Sequence, residues 1–599
     1  MSILPELKRR FGDALAGLVD DPAELLDSIR RSQDPKFGDY QANMAMPLGK
    51  RLHRPPRDVA AELVGRLDVA DVCYPPEIAG PGFINLRIKE EWLVERVSAA
   101  VVDPRLGIPA VAGPRTFVVD FSAPNVAKPM HVGHIRSTVI GDALCRVLRF
   151  LGHSVISDNH IGDWGTQFGM ILYGWRNFRD EAAYRRNPVE ELARLYRLVR
   201  RLMDYQDANE PPEEKEIGEL GSLSAQHPNI NAAVLAETAK LHAGDVENRR
   251  LWQEFLPFCE DEIERMYKRL DVTFDHTLGE SFYEDRLAAT VDELLRRGIA
   301  RESDGAICVF LEGHKTPMIV RKKDGAFLYG TTDLATIRYR METWRPDAIL
   351  YVVDHRQSLH FQQLFAAARL LGYGDVELQH VSFGTVLGDD GRPFKTRSGD
   401  TVGLEGLLDE AVRRALEIVS ANDDAKPDGP ELSAEQRRQV AETVGIASLK
   451  YADLSQNRTS DYVFSYDKML AMNGNTATYM QYAYARVRSI FARGNVDIDS
   501  LRSSGAAITL DSPAERALAL ELLRFCEALD LTVADYRPNQ LTAYLFDLAN
   551  RYSTFFEQCH VLRAESEELR RSRLLLCDLT ARTIQKGLEL LGIKVVEKM

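Results

Sequence analysis

One short run of residues restricts the fold more than any other part of this chain. Residues 116–121 (TFVVDF) are β-branched and aromatic, as in a buried strand, and a polar loop and a helical pattern from about residue 135 to 151 follow them. A strand, a loop and a helix in this order form the βα unit of a parallel sheet. Further strand candidates lie at 154–157, 348–353 and 379–383. Helical stretches separate these candidates, so the pattern predicts a parallel α/β sheet.

The length of 599 residues is too great for one hydrophobic core and predicts three or four domains. Residues 1–112 have the pattern of a small α/β domain that ends in a Pro/Gly-rich linker. Residues 113–405 carry the parallel-sheet pattern of a Rossmann-like domain, with a helical insertion at about 176–268. Strand signals nearly vanish from 406 to 599, which predicts a helical bundle. The predicted fold class is therefore α/β, multidomain.

Composition restricts the compartment and the partners. The seven cysteines are scattered and never form a CxxC pair, which predicts neither a disulfide framework nor a zinc site. The N-terminal residues lack the basic and apolar regions of a signal peptide, and no apolar run approaches a membrane span. We therefore expect a cytoplasmic protein with no membrane partner.

The formal net charge of −14 opposes nucleic-acid binding over the whole surface, because phosphate contacts need Lys and Arg. Local basic faces remain compatible with that charge. Candidates are Arg321, Lys322 and Lys323, and also Arg486, Arg488 and Arg493. Taken singly, each of these residues is better explained as a solvated surface charge.

Two histidines stand between the predicted strand and the predicted helix. His131 and His134 flank Gly133 in the run His-Val-Gly-His. Imidazoles at the opening of a helix, with a glycine between them, let phosphates approach backbone N–H groups and the positive end of the helix dipole. The run resembles the HIGH signature of class I aminoacyl-tRNA synthetases, which implies ATP binding by these three residues and catalysis by the two histidines. Two capping histidines in a loop are the alternative, and small nucleotidyltransferases also use HxGH.

A second basic loop follows about 260 residues later. The run 391–399 (GRPFKTRSG) resembles the KMSKS loop in the degenerate form found in arginyl-tRNA synthetases. The second lysine of that motif falls on Thr396, between Lys395 and Arg397. The resemblance implies that Lys395 binds ATP, that Lys395 and Arg397 are catalytic, and that Lys128, just upstream of the histidines, replaces the missing lysine. A closing cationic loop would neutralise transition-state charge.

The run 162–169 (GDWGTQFG) is similar to a string specific to the arginyl-tRNA synthetases. A guanidinium offers five donors and keeps its charge, so carboxylates and aromatic faces must meet it. By resemblance the arginine-binding residues are Asn125, Asn159, Gln167, Glu280, Tyr329, Asp333 and Gln357. Tyr329 and Asp333, four residues apart, would share a helix face. Thr331 or Thr332 is a candidate N-cap that would instead leave Tyr329 ahead of the helix.

The helical third is similar to the anticodon-binding domain of the same family, and residues 1–112 resemble its N-terminal domain, which contacts the tRNA elbow. Interleaved aromatic rings and arginines suit unstacked bases and phosphates. The tRNA-binding candidates are Phe83, Asn85, Arg458, Tyr482, Arg486, Tyr552 and Met599. For most of the tyrosines a place in the bundle core is the alternative.

Together the resemblances imply an enzyme that activates L-arginine with ATP to arginyl-adenylate and transfers it to the 2′-hydroxyl of the terminal adenosine of tRNA(Arg). They also imply that bound tRNA is required for activation and that the chain acts as a monomer. We expect Mg²⁺ to be held by the phosphates, and no metal site of the protein's own. A class I synthetase for another amino acid and a catalytically silent tRNA-binding paralogue remain the alternatives.

Overall fold

The computed structural model describes residues 3–126, 128–207, 217–388, 390–394, 403–427 and 429–599. The chain forms two compact units. One comprises Met1–Val111, Ile418–Ser455 and Met469–Met599, and the other comprises Ala112–Glu417 and Gln456–Lys468. The division into three domains at residues 112 and 405 stays a prediction.

The strands are short. In chain order they are β1 (Ile29–Arg31), β2 (Tyr40–Ala42), β3 (Glu77–Ala79), β4 (Phe83–Leu86), β5 (Thr116–Asp120), β6 (Ser154–Asn159), β7 (His276–Thr277), β8 (Ala300–Ser303), β9 (Ala306–Val309), β10 (Met318–Arg321), β11 (Ala348–Tyr351), β12 (Glu377–His380), β13 (Val386–Leu387) and β14 (Tyr462–Val463).

Helices make up most of the remainder. In chain order they are α1 (Ile3–Leu15), α2 (Ala23–Leu26), α3 (Ala45–Leu52), α4 (Pro56–Arg66), α5 (Glu90–Val102), α6 (Val132–Leu151), α7 (Thr166–Phe178), α8 (Glu181–Arg186), α9 (Pro188–Asp207), α10 (Ile217–Gln226), α11 (Ile230–His242), α12 (Val246–Leu270), α13 (Glu284–Arg296), α14 (Tyr329–Thr343), α15 (Ser358–Leu370), α16 (Leu404–Asp424), α17 (Ala434–Leu454), α18 (Tyr466–Met469), α19 (Ala477–Arg493), α20 (Ile498–Ser503), α21 (Pro513–Leu522), α22 (Phe525–Ala534), α23 (Asn539–Gln558) and α24 (Glu567–Leu590). Within the described part of the chain, none of these helices is long and apolar enough to span a membrane.

The predicted parallel sheet is confirmed. Its five strands lie in the order β12-β11-β5-β6-β7, and every neighbouring pair is parallel. Numbered along the chain, this is the 3-2-1-4-5 order of a doubly wound, Rossmann-like sheet. The order reverses between β5 and β11, and ligands of such sheets bind at that point, beyond the carboxyl ends of the strands.

Three local predictions differ from the structure. The third strand candidate, at 379–383, begins two residues earlier and ends at His380, where its pairing with β11 stops. Helix α6 begins at Val132 instead of about residue 135, because His131 caps it. The antiparallel sheet β10-β9-β8 was not predicted, since its short strands interrupt a helical pattern.

The N-terminal α/β domain and the helical third pack together within one unit. The N-terminal sheet has the order β1-β2-β4-β3, and its hydrophobic core includes Leu520 of α21. The guanidinium of Arg516, also on α21, donates to both carboxylate oxygens of Asp39 at 3.0 and 2.7 Å. Bidentate geometry of this kind makes a strong, oriented ion pair. The N-terminal domain is therefore fixed to the helical bundle by both apolar and ionic contacts.

A buried ion cluster lies at the carboxyl ends of β5 and β6. Arg340 of α14 is fully buried, and its Nη2 lies 2.6 Å from Asp120 Oδ2 and 2.7 Å from Asp158 Oδ2. The cluster binds α14 to β5 and β6. Strand β5 precedes residues 121–131, which we call the histidine loop, and β6 precedes the GDWGTQFG run. The cation compensates two carboxylates that have lost their water.

Replacing Arg340 by Met should lower the free energy of unfolding by about 3–5 kcal/mol, because two buried carboxylates lose their counter-charge. Urea denaturation followed by circular dichroism measures this loss. Arg338→Met on the same helix is the control, since Arg338 is 37% exposed and pairs with Glu293 and Glu342 at the surface. That control should cost less than about 1 kcal/mol. Equal losses in the two variants would contradict the assigned role of the buried cluster.

Candidate active site

The N-terminus of α6 holds the two histidines in one fixed geometry. The backbone N–H of Gly133 donates to His131 Nδ1 at 3.1 Å, and the backbone N–H of His131 donates to His134 Nδ1 at 3.0 Å. The centroids of the two rings lie 3.9 Å apart, and the ring planes are tilted by 33° relative to each other. Because each Nδ1 accepts a hydrogen bond, each neutral ring carries its proton on Nε2. The helix start therefore presents two Nε2–H donors.

Both imidazoles are neutral at physiological pH. Burial, with the nearby cations Lys128 and Arg356, lowers the pKa of His131 to about 4. Burial, with His131 and Lys128, holds the pKa of His134 well below its usual value. Neutral donors can bind phosphate oxygens without transferring a proton, so their role is positioning and charge stabilisation.

Lys128 lies beside the histidines, since its charge contributes to the lowered pKa of both rings. Burial, with the nearby Arg200, lowers the pKa of Lys128 itself. Its side chain lines a cavity of about 560 Å³ between the histidine loop and helices α9 and α12. A cation in a partly dehydrated position interacts more strongly with a phosphate than it would in bulk water. The predicted partners Lys395 and Arg397 lie outside the described residues.

An acidic pocket lies on the β6 side of the sheet. Burial, together with nearby Asp163 and Asp333, raises the pKa of Glu280 to about 7, and His160 opposes the shift. Asp163 also fixes the turn that carries Glu280, because it accepts hydrogen bonds from the Ser281 backbone N–H at 2.9 Å and the Ser281 hydroxyl at 2.5 Å. Without a cation, this pocket is electrostatically unsatisfied.

Gln167 and Glu280 meet across Gly165. A Cβ on Gly165 would lie 2.6 Å from Gln167 Oε1 and 4.0 Å from Glu280 Oε2. The amide of Gln167 and the carboxylate of Glu280 therefore both lie close to the main chain at Gly165. The resemblance assigned both side chains to arginine binding, and the structure brings them together.

Tyr329 and Asp333 lie on one face of α14. The helix begins at Tyr329, with Leu328 as its N-cap, so the proposed N-cap at Thr331 or Thr332 is wrong. The Thr331 hydroxyl instead donates to the carbonyl of Val320 in the neighbouring sheet. Asp333 Oδ2 lies 2.5 Å from His360 Nε2. Partial burial of the phenol, together with Glu280 and Asp333, raises the pKa of Tyr329, which marks the three groups as neighbours.

The other predicted arginine ligands have different surroundings. Asn125 packs against Gly162, where a Cβ would lie 2.2 Å from Asn125 Oδ1. Asn159 is 1% exposed, and its amide bonds to the Ala123 backbone N–H and the Tyr267 hydroxyl. These contacts hold the Asn159 amide in place, and its direct contact with arginine stays a prediction. Gln357 is exposed on the turn that follows β11.

Among the predicted tRNA contacts, Tyr482 and Arg486 form an accessible surface on α19. Tyr482 is 41% exposed, and the Arg486 guanidinium lies over the ring of Phe556 at 3.9 Å. Phe83 and Met599 are half-buried.

Three predicted tRNA contacts are buried. Tyr552 is 1% exposed and lies in the bundle core, which favours the alternative given for the tyrosines; its contact with tRNA stays a prediction. Asn85 is 6% exposed, and its Oδ1 accepts a hydrogen bond from Gln41. Arg458 is 8% exposed, and its guanidinium donates to the Ser382 carbonyl. Both side chains have little accessible surface in this structure, and their contact with tRNA stays a prediction.

The sequence analysis missed residues that complete the pocket. His160, Asp163 and His360 surround Glu280 and Asp333, and the Trp252 indole donates to the Asp163 carbonyl at 2.9 Å. Asp163 lies within the GDWGTQFG run and His160 lies two residues before it, so their position was a usable signal. Trp252 had no local signal, since it lies about 90 residues further along the chain.

Comparison with known proteins agrees with this geometry across the chain. Residues 96–466 match the model of the class I tRNA synthetase (R) catalytic domain, residues 5–88 match the arginyl tRNA synthetase N-terminal domain, and residues 480–599 match the DALR anticodon-binding domain. The chain is 49% identical to the arginine–tRNA ligase of Rhodopirellula baltica, over 99% of both chains. It is 44% identical to that of Marinomonas sp., over 100% of both.

Solved structures agree as well. The arginyl-tRNA synthetase of Plasmodium falciparum superposes with a TM-score of 0.80 at 27% identity, covering 100% of this chain and 99% of that one. The Thermus thermophilus arginyl-tRNA synthetase shares the fold, with a TM-score of 0.79 at 24% identity and 100% coverage of both chains. The chain therefore belongs to the arginyl-tRNA synthetase family of class I aminoacyl-tRNA synthetases.

Proposed function

We propose that the chain activates L-arginine with ATP to arginyl-adenylate and transfers the arginyl group to the 2′-hydroxyl of the terminal adenosine of tRNA(Arg). The observation that carries this proposal is the acidic pocket of Glu280 and Asp333, on the same sheet edge as the histidine-capped start of α6. The pocket suits a guanidinium, and the helix start suits the phosphates of ATP.

Activation needs no nucleophile from the protein, because the substrate carboxylate attacks the α-phosphate and pyrophosphate leaves. The protein aligns the two substrates and stabilises charge. In our proposal, the Nε2–H groups of His131 and His134 donate to phosphate oxygens, and Lys128 supplies a positive charge beside them. We assign the remaining cationic help to Lys395 and Arg397.

Mg²⁺ accompanies ATP in this chemistry and supplies charge neutralisation on the phosphates. The part of the chain that the structure describes holds no group of three His, Cys, Asp or Glu residues suited to a metal ion. We therefore propose that the phosphates and water bind the Mg²⁺, as is usual for this ion.

Arginine recognition, as we propose it, rests on charge and shape together. The carboxylates of Glu280 and Asp333 meet the guanidinium, with Tyr329 beside them and Gln167 across Gly165. Lysine has a charge but no planar fork, so it cannot make the same bidentate contacts. Citrulline lacks the charge and would leave the carboxylates unpaired.

For tRNA we propose that the exposed surface formed by Tyr482, Arg486 and Phe556 stacks on unpaired bases. Rings and a guanidinium plane within one patch suit such stacking. Phe83 of β4 is our candidate for the tRNA elbow. Bound tRNA is required for activation in this proposal.

The test is aminoacylation by the purified full chain, with each amino acid in turn and total tRNA. We expect arginine alone to be charged, and arginine-dependent pyrophosphate exchange to need added tRNA. Charging of another amino acid in place of arginine would refute the proposed specificity. Exchange at the full rate without tRNA would refute the tRNA requirement only.

A further inference from the structure

The turn at the start of the histidine loop has a strained backbone. Ser122 and Ala123 have φ angles of 72° and 45°, so two consecutive residues with side chains lie in the left-handed region. Such conformations are costly, and they persist only where surrounding contacts hold them. The turn directs the chain from the sheet towards Asn125, Lys128 and His131, so its shape sets the position of the histidine loop.

A directed chain of hydrogen bonds holds this turn. Thr138 donates its hydroxyl hydrogen to the carbonyl of His134 at 2.8 Å, which leaves its oxygen to accept from Ser122 at 2.8 Å. Because the Ser122 hydrogen is used there, Ser122 must accept from the Tyr267 hydroxyl, also at 2.8 Å. The Tyr267 oxygen in turn accepts from Asn159 Nδ2 at 3.0 Å. Asn159 Oδ1 closes the arrangement by accepting from the Ala123 backbone N–H at 3.1 Å.

Among the residues joined by these hydrogen bonds, Tyr267 is the one that lies outside every motif of the sequence analysis. It lies near the end of α12, in the helical insertion, and is 3% exposed. Its ring packs against Phe274 with centroids 4.9 Å apart, and Phe274 packs against Phe121, the residue before the strained turn. The ring is therefore held in place by packing, and its hydroxyl bridges Ser122 and Asn159.

We propose that Tyr267 is a positioning residue for amino-acid activation: its hydroxyl holds the Ser122–Ala123 turn in its strained form and so fixes the histidine loop against the β6 end of the pocket. This inference rests on the proposed function. It also gives the helical insertion a role inside the active site. Tyr267 acts through its hydrogen-bond partners Ser122 and Asn159.

The test compares single-hydroxyl deletions in the full chain, assayed by arginine-dependent pyrophosphate exchange with tRNA present. Tyr267→Phe keeps the ring and should lower kcat about tenfold, with both KM values changed less than about twofold, the size expected for lost hydrogen bonds that position a site. Tyr184→Phe is the matched control, because its hydroxyl also bonds to α12, at Glu254, but on the exposed side. It should retain wild-type kcat.

Two further variants separate positioning from general stability. Ser122→Ala removes the same hydrogen bond from the other side, so the kcat of the double variant Ser122→Ala/Tyr267→Phe should be no lower than that of either single variant. If Tyr267→Phe does not fold, Ser122→Ala alone still tests this hydrogen bond. Ala123→Gly removes the steric cost of the positive φ and should recover about threefold of the kcat lost in Tyr267→Phe. The exposed Ala123 side chain makes this glycine a mild change.

Wild-type kcat in both Tyr267→Phe and Ser122→Ala would overturn the proposal. So would strictly multiplicative losses in the double variant, or a loss that Ala123→Gly leaves unchanged. The wild-type chain is measured in the same assay: no arginine-dependent exchange there would refute the proposed function itself. An active wild type beside an equally active Tyr267→Phe refutes only the role of Tyr267.

Discussion

Glu280→Gln is expected to raise the KM for arginine about a hundredfold while the KM for ATP changes less than about twofold. The guanidinium stays charged at every usable pH, so it needs a carboxylate, and an amide of the same shape cannot supply the charge. Hydrogen bonds between charged groups are worth about 1.5–3 kcal/mol, and each 1.4 kcal/mol is a factor of ten. Steady-state pyrophosphate exchange with tRNA measures both constants.

The same residue should set the pH dependence of arginine binding. Since the pKa of Glu280 is about 7 without substrate, the carboxyl group is protonated below that pH and must release its proton when the guanidinium binds. Affinity for arginine should therefore rise about tenfold per pH unit as pH increases towards 7, and level off above it. His131 and His134 do not contribute to this pH dependence of arginine affinity, because the pKa of His131 is about 4 and the pKa of His134 lies well below its usual value.

The control for these measurements is Glu302→Gln, which changes an exposed carboxylate on β8. It should keep both the wild-type KM and the pH slope, whereas Glu280→Gln should lose the slope. A pH slope that survives in Glu280→Gln would mean that another group titrates. An unchanged KM for arginine in that variant would remove Glu280 from the binding site.

Lys128→Ala is expected to lower the kcat of adenylate formation by about 10²–10³, the usual effect of removing one group that stabilises transition-state charge. Its affinity for tRNA should change less than about twofold. The reason is location: Lys128 lies beside His131 and His134, partly withdrawn from water. Single-turnover adenylation and filter binding of tRNA measure the two effects separately.

Lys323→Ala, which removes an exposed lysine from the same unit, should leave adenylation at the wild-type rate. Normal turnover in Lys128→Ala would transfer the compensating role to Lys395 or Arg397. Equal losses of adenylation rate and tRNA affinity would instead indicate a general disturbance of the loop.

Local patterns predicted what depends on neighbours in the sequence. The strand at 116–120 and the glycine-spaced histidines of α6 follow from residue type and spacing, because burial and helix capping act over a few residues. The local prediction of an N-cap for α14 at Thr331 or Thr332 was wrong, because the helix begins at Tyr329. Thr331 was a plausible cap by residue type, but its hydroxyl bonds to a strand that the pattern had not identified.

The sequence alone predicted the parallel sheet, the helix that follows the two histidines and, through likeness, the family of the chain. Only the tertiary structure decided which side chains remain accessible and which residues distant in sequence meet. Tyr552 and Tyr482 are the same residue type in helices of similar pattern, yet one is buried and the other is exposed. Tyr267 reaches Ser122 across 145 positions. Periodicity shows which face of a helix is buried, whereas the partner of that face depends on how the helices and the sheet pack together.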